Sequence, residues 1–226
     1  MRPLLATRWI ALLILLFPFI SLSLDASPLK GTLALTGQMK HQSPFQAPGY
    51  WQRPNGILSI KEPNWDPRQE MVVVIRGSGL SMPPPAAELL IEDFQFVPSI
   101  LPVHEQTTVT VINRDPTTHI IEPVENNFMK ALTVPPRSNI TFRLPKAGQY
   151  QLRSSEYPHM LVSILAIDTP AFILAEASGA FRFADIPNGH LSLEVWYRGQ
   201  WIHKQPIEVK GRTSLVIPIQ VPSQKD

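Results

Sequence analysis

An all-β fold is what this sequence predicts, and three observations carry it. Prolines are frequent, 24 in 226 residues, and fall between short runs rich in Val, Ile, Thr, Phe and Tyr. Runs of that kind bounded by Pro, Gly, Asn and Asp read as strands and turns. Outside the N-terminus no long segment carries the helical period. Instead, Thr108-Val-Thr-Val111 and Ile140-Thr-Phe-Arg-Leu144 alternate apolar and polar side chains, so each strand puts one face in a core and one in water.

Composition narrows the function classes. Hydrophobic residues make up 44 %, enough for a sizeable core in one large or two small domains. The formal net charge is +2, and without Arg2, Arg8 and Asp25 of the leader the balance is 18 basic against 17 acidic residues. With no Lys/Arg cluster, that balance argues against nucleic-acid binding. There is no Cys, which excludes disulfides, thiolate metal ligands, a Cys nucleophile and a lipoprotein anchor. Export remains compatible, because an oxidising compartment does not require Cys.

In chain order, residues 1–26 read as a secretory signal peptide. Arg2 and Arg8 form a basic start, Trp9 to Leu24 is an apolar core interrupted by Pro18, and Ser23, Ala26 and Ser27 are small residues suited to cleavage, expected after Ala26. The apolar stretch is shorter than the ~20 residues of a spanning helix, so no stable membrane span is expected after cleavage. Leu29 to Gly37 alternates like a strand bounded by glycines. Gln38 to Arg68 reads as loops with one short strand at Gly56 to Ile60, pinned by Trp51 and Trp65. Met71-Val-Val-Val-Ile75 is a strand whose unbroken apolar run implies burial on both faces. Gly77-Ser-Gly79 and Pro83-Pro-Pro85 then break the chain.

From Ala87 the expected strands are Glu88 to Glu92 with Phe94 and Phe96 beyond, Thr107 to Ile112, Asn139 to Leu144, Gly148 to Arg153 and Leu161 to Ile167. Within them Phe96-Val-Pro98, Leu101, Val103, Thr108, Val109, Asn113, Asp115 and His119 match F-x-P-x-x-L-x-V followed by T-x-V-x-x-x-N-x-D-x-x-x-H. Ser154, Tyr157, Pro158, Met160 and Asp168-Thr-Pro170 fall on C-x-x-H-P-x-M and its closing D-T-P. The stretch therefore resembles the cupredoxin-like domain of bacterial periplasmic proteins of the methylamine-utilisation-like or plastocyanin-like kind. It departs from them at the chemistry: Ser154 stands where the family has Cys, and Tyr157 where it has a second His.

After Pro170 the texture changes. Ala177-Ser-Gly-Ala-Phe-Arg-Phe183, Ile186-Pro-Asn-Gly189 and Leu191-Ser-Leu-Glu-Val-Trp-Tyr197 resemble carboxypeptidase-regulatory-like, transthyretin-like modules, with Gly179 and Asn188-Gly189 as turn residues. Pro206 to Lys210 and Ser214 to Ile219 are the last expected strands. Such modules begin with a G-T-V strand and a second strand ending in Gly, and Gly31-Thr-Leu33 and Met71 to Gly77 fit those places far upstream. The expected organisation is a transthyretin-like sandwich split over 27–85 and 169–226, with a cupredoxin-like sandwich at 86–168 inserted in it or joined to it.

Candidate functional residues follow from the resemblance. His119, His159 and Met160 are the metal-ligand candidates, two imidazoles and a thioether that suit copper. Without a thiolate the strong Cu–S bond of a blue site is missing, so electron transfer ranks below the alternatives. His104 follows Pro102 in a turn and is expected to be exposed, and Met129 is a soft ligand with no motif behind it. Ser154, Ser155, Glu156 and His159 invite a hydrolase reading, but residues of one short loop rarely fold into an oriented triad with an oxyanion hole. Trp196, Tyr197 and Trp201 read as strand packing or as an aromatic platform for a sugar or a protein. The expected function is a non-catalytic periplasmic or secreted binding or scaffold protein with a degenerate type 1 copper site. The alternative is a copper-binding protein that uses His119, His159 and Met160 for storage, delivery or sensing. The expected partners are a copper ion or a periplasmic protein, with no nucleic acid.

Overall fold

A computed structural model describes residues 26–36, 66–81, 86–125 and 128–220. The signal peptide, the Gly56 to Ile60 strand with Trp51 and Trp65, and the Pro83-Pro-Pro85 spacer lie outside the described residues. The described residues are all-β apart from one turn of 3-10 helix at Pro67–Glu70.

Two strands come first, β1 (Ala26–Thr36) and β2 (Met71–Arg76). Nine follow: β3 (Glu88–Glu92), β4 (Gln95–Val97), β5 (Ile100–His104), β6 (Thr108–Asn113), β7 (His119–Pro123), β8 (Leu132–Val134), β9 (Asn139–Arg143), β10 (Gly148–Ser154) and β11 (Leu161–Ile167). The last five are β12 (Phe172–Leu174), β13 (Ala180–Pro187), β14 (Gly189–Tyr197), β15 (Gln200–Val209) and β16 (Thr213–Gln220). They form four sheets, of strand order β13-β1-β16, β12-β2-β14-β15, β5-β11-β10-β7-β8 and β4-β3-β6-β9. Strands β1 and β2 thus share two sheets with β12–β16, while β3–β11, which lie between them in sequence, build the other two.

The sheets stack as four layers with three apolar seams. Leu29, Leu33, Met71, Val73, Phe181, Leu193 and Val195 fill the first. Leu89, Val109, Val111, Leu152, Val162 and Ile164 belong to the last. Between these lies a smaller seam of Val72, Val74, Phe172 and Trp196 against Ile100, Leu165 and Ile167. Strand β2 belongs to two seams at once because its side chains alternate faces. Its odd positions enter the first seam and its even positions the middle one, so Val72 and Val74 meet Leu165 and Ile167 rather than Phe181. The run of five buried apolar residues follows from this.

Several elements differ from the sequence reading. His104 is not in a turn but ends β5, half-buried, with Nδ1 donating to the Glu105 carbonyl at 3.0 Å. Pro102 hid this strand, yet β5 is an edge strand where a missing N–H is tolerated. β7, β8 and β12 are too short to show a period. β15 begins at Gln200, several residues before Pro206. Gly179 does carry positive φ (+82°), and a Cβ there would sit 2.7 Å from the Leu33 carbonyl oxygen.

The chain leaves the first sandwich and returns to it at one place. Thr169 Oγ1 donates to the Ile75 carbonyl at 3.0 Å, and Ile75 N–H donates to the Ala171 carbonyl at 2.8 Å. Beside them Arg76 pairs with Asp168 and, at 2.8 Å, with Glu194, which Lys204 also meets at 2.8 Å. The Arg76 hydrogen bond holds the Asp168 carboxyl below its ordinary range. Burial raises the Glu194 carboxyl, but the Lys204 and Arg76 bonds outweigh it and the net direction is downward.

A carboxyl whose folded pKa is depressed adds stability above its unfolded value and loses it as pH falls through the folded one. The junction is therefore expected to weaken as pH drops below about 4. Arg76→Ala should cost about 1.5–3 kcal/mol at pH 7, chiefly through the nearly buried Glu194, since Asp168 is half exposed and screened. Urea titrations of both proteins should show that difference shrinking towards pH 3. An equal difference at both pH values refutes the junction's role.

Candidate functional site

The candidate site is assembled by the β3–β4 turn, the loop between β6 and β7, and the loop between β10 and β11. Asn113, buried at the end of β6, donates through Nδ2 to the carbonyls of Thr117, Val134 and Pro135 at 2.8, 3.0 and 3.0 Å. Its Oδ1 accepts the Asp115 N–H at 2.9 Å. One side chain thereby shapes the whole Asn113 to His119 loop and ties it to β8.

Asp115 is the hub. Its Oδ1 accepts the Asp93 N–H at 2.8 Å, and its Oδ2 accepts the Phe94 N–H at 3.1 Å and His119 Nε2–H at 2.9 Å. Asp93 and Phe94 form the two-residue turn between β3 and β4, with φ of 54° and 56°. Left-handed backbone costs roughly 1–2 kcal/mol per non-glycine residue, and two N–H groups converging on a carboxylate offset it. This turn swings Phe94 onto the imidazole, with ring centroids 5.7 Å apart.

His119 is not on a loop but is the first residue of β7, and it is 0 % exposed. Its ring lies 5.4 Å from that of Tyr157, so two aromatic rings flank it. A carboxylate oxygen accepts at Nε2, which places the hydrogen there and leaves Nδ1 as a bare lone pair in the neutral ring. Nδ1 is buried and has no hydrogen-bond partner among the described residues. Buried polar atoms are normally paired, so this one stands out.

The other two candidates differ in their surroundings. Met160 is buried in the seam with Leu89 and Val162. His159 is exposed, and its Nε2 donates to the Phe94 carbonyl at 3.0 Å. Tyr157 touches both imidazoles, its ring centroid being 6.3 Å from that of His159. Ser154 is buried, and its Oγ accepts the N–H groups of Glu156 and Tyr157 at 3.3 and 3.2 Å. Ser155 Oγ donates to the Ile120 carbonyl at 3.1 Å. Among the described residues no three His, Cys, Asp or Glu side chains group as metal ligands. As a copper site the donor set fits in part: His119 presents a free Nδ1, while His159 is engaged with backbone and Met160 is packed in the core.

Phe94 and Asp115 were named in the sequence reading, as a residue beyond a strand and as a motif residue, but neither was given a role at the site. For Asp115 a signal existed, since Asp-x-x-x-His spacing puts a carboxylate within reach of the imidazole across a tight loop. Phe94 gave none, being far upstream. Of the aromatic trio, Trp196 and Tyr197 are buried, and only Trp201 is open, at 45 % exposure, with the Arg76 guanidinium 5.6 Å above its ring.

Solved structures similar to this chain include amicyanins and a cupredoxin. The Cu(I) form of an amicyanin variant matches at 21 % identity, covering 42 % of this chain and 98 % of its own, with a TM-score of 0.33. A purple cupredoxin from Nitrosopumilus maritimus matches at 18 % identity over 36 % of this chain and 99 % of its own, with a TM-score of 0.33. Amicyanin from Paracoccus versutus matches at 13 % identity over 41 % and 97 %, with a TM-score of 0.34. No protein-family model and no curated protein sequence matches the chain. Among the described residues no helix is long and apolar enough to cross a membrane.

Proposed function

We propose that the chain is an exported, non-catalytic binding or scaffold protein. In this reading a cupredoxin-like domain at 86–168 is inserted into a transthyretin-like sandwich formed by 27–85 and 169–226. One observation carries the reading. The ligand-loop region is built as a closed structural cluster, with His119 held by Asp115 beneath Phe94 and Tyr157, and Ser154 engaged with the backbone of its own loop. That cluster also supports the absence of hydrolysis. The buried Asp115–His119 pair offers its open Nδ1 to no hydroxyl, and Ser154 and Ser155 make their bonds to backbone. A basic start and an apolar core in residues 1–26 support export to the periplasm or beyond.

The orphaned Nδ1 favours a second reading, a copper-binding protein for storage, delivery or sensing. His119 would hold the ion through Nδ1, with Met160 and His159 supplied by the neighbouring loop. Soft neutral ligands of this kind favour Cu(I). A competition titration against a Cu(I) chelator separates the two readings, using wild type, His119→Ala and His104→Ala. The scaffold reading expects the same negligible affinity in all three. Binding by wild type and His104→Ala that falls at least about tenfold in His119→Ala establishes the copper reading instead.

A further inference from the structure

A strand at the edge of a sheet leaves a row of N–H and C=O groups open, and proteins guard such rows with short strands, proline or charge. Among the described residues the four sheets end in β13 and β16, β12 and β15, β5 and β8, and β4 and β9. Strands β4, β8 and β12 have only three residues each. Strands β5, β13, β15 and β16 are longer, and each carries a proline: Pro102, Pro187, Pro206 and Pro218. β9, Asn139-Ile-Thr-Phe-Arg143, is neither short nor interrupted by proline. Its one charge stands at the strand end, where Arg143 Nε donates to the Gln106 carbonyl at 2.8 Å.

The ladder with β6 fixes which backbone groups of β9 are open. At one end Asn113 N–H donates to the Ser138 carbonyl at 2.9 Å, and at the other Leu144 N–H donates to the Thr107 carbonyl at 3.4 Å. Between them Val111 faces Ile140, Thr110 faces Thr141 and Val109 faces Phe142. Hydrogen-bonded pairs alternate along an antiparallel ladder, so Ile140 and Phe142 direct their backbone groups to β6. Those of Asn139, Thr141 and Arg143 point to the open edge, and all three residues are exposed. The strand is also complementary to itself. Antiparallel to a second copy and centred on Thr141, it sets Asn139 opposite Arg143, Ile140 opposite Phe142 and Thr141 opposite its own counterpart. No like charges meet, and the apolar pair extends the core side of the sheet, where Phe142 is buried and Ile140 packs half-buried.

We propose that this edge is a dimer interface, in which β9 pairs antiparallel with the β9 of a second copy about a two-fold axis at Thr141. Thr141 exchanges two hydrogen bonds with its counterpart, and at each end Asn139 exchanges two with the partner's Arg143. The two four-stranded sheets become one continuous sheet. The inference goes beyond the reading of the His119 cluster, and its test involves no copper. Sedimentation velocity of the full chain from about 1 to 300 μM should show a reversible monomer–dimer equilibrium. Thr141→Pro removes an N–H that faces the edge and not β6, so it blocks the pairing and keeps the sheet. Thr141→Lys, at an exposed position, sets two ammonium groups face to face across the axis. Each variant should weaken the dimer at least about tenfold, while Gln95→Lys on the opposite edge of the sheet leaves it unchanged. Hydrogen exchange locates the contact. Raising the concentration through the transition should slow the amides of Asn139, Thr141 and Arg143 at least about tenfold, and leave Ile140 and Phe142 unchanged, since β6 bonds them in both states. A chain that stays monomeric throughout overturns the proposal, as does a dimer that Thr141→Lys does not weaken. Exchange at Asn139, Thr141 and Arg143 that ignores concentration, or that slows only when another protein is added, overturns it too.

Discussion

A chain that starts at Thr169 and ends at Asp226 is expected not to fold, although it holds five of the seven described strands of its sandwich. The two missing strands are the ones that matter. β1 lies between β13 and β16, and β2 lies between β12 and β14. Without them only the β14–β15 hairpin keeps a partner, and a lone hairpin is marginal in water. The fragment also lacks Leu29, Leu33, Met71, Val73 and Ile75, all fully buried in the first seam. Burying each such side chain is worth roughly 1.5–3 kcal/mol, so the deficit is comparable to the whole stability of a typical small domain. Circular dichroism under urea should show no cooperative transition. A sharp transition, or a protease-resistant core of that span, would show that the C-terminal strands close a sandwich by themselves.

Asp115→Ala is expected to cost about 3–5 kcal/mol, because it strands three donors at once, each worth roughly 1–3 kcal/mol when buried. These are His119 Nε2, fully buried, and the N–H groups of Asp93 and Phe94 in a left-handed turn. The turn should relax and release Phe94 from the imidazole. Asp115→Asn keeps one acceptor oxygen but offers an amide donor as well, so an intermediate loss is expected. Chemical denaturation gives the energies, and NMR of the His119 ring reports whether its hydrogen stays on Nε2. A loss below about 1 kcal/mol in Asp115→Ala would mean that solvent or a rearranged loop replaces the carboxylate.

These networks were legible in the sequence to unequal degrees. Met71-Val-Val-Val-Ile75 announces burial on both faces, because it has no polar position to give to water. It cannot say which two cores receive it: Met71, Val73 and Ile75 join Phe181 and Leu193, while Val72 and Val74 face the other sandwich. Asn113, Asp115 and His119 stand in one short motif, so the sequence exposed their association. His119 looked like a loop residue because β7 is short and ends in Glu122-Pro123. Its full burial depends on Phe94 and Tyr157, which arrive from two other loops. Trp196 was readable as strand packing, and it is buried in the middle seam.

The parallel pairing of β1 with β16 has a mechanical consequence. The two strands run the same way in register from Leu29↔Thr213 to Thr36↔Gln220. Ala26 and Gln220 therefore emerge at opposite ends of one ladder. Tension between these two points acts along the strands, and the hydrogen bonds of the ladder share it in shear instead of opening one by one. The sandwich that carries His119 is attached through two adjacent points beside Ile75 and Thr169, off this line of force. It can ride on a chain under load while its own strands feel little of the pull.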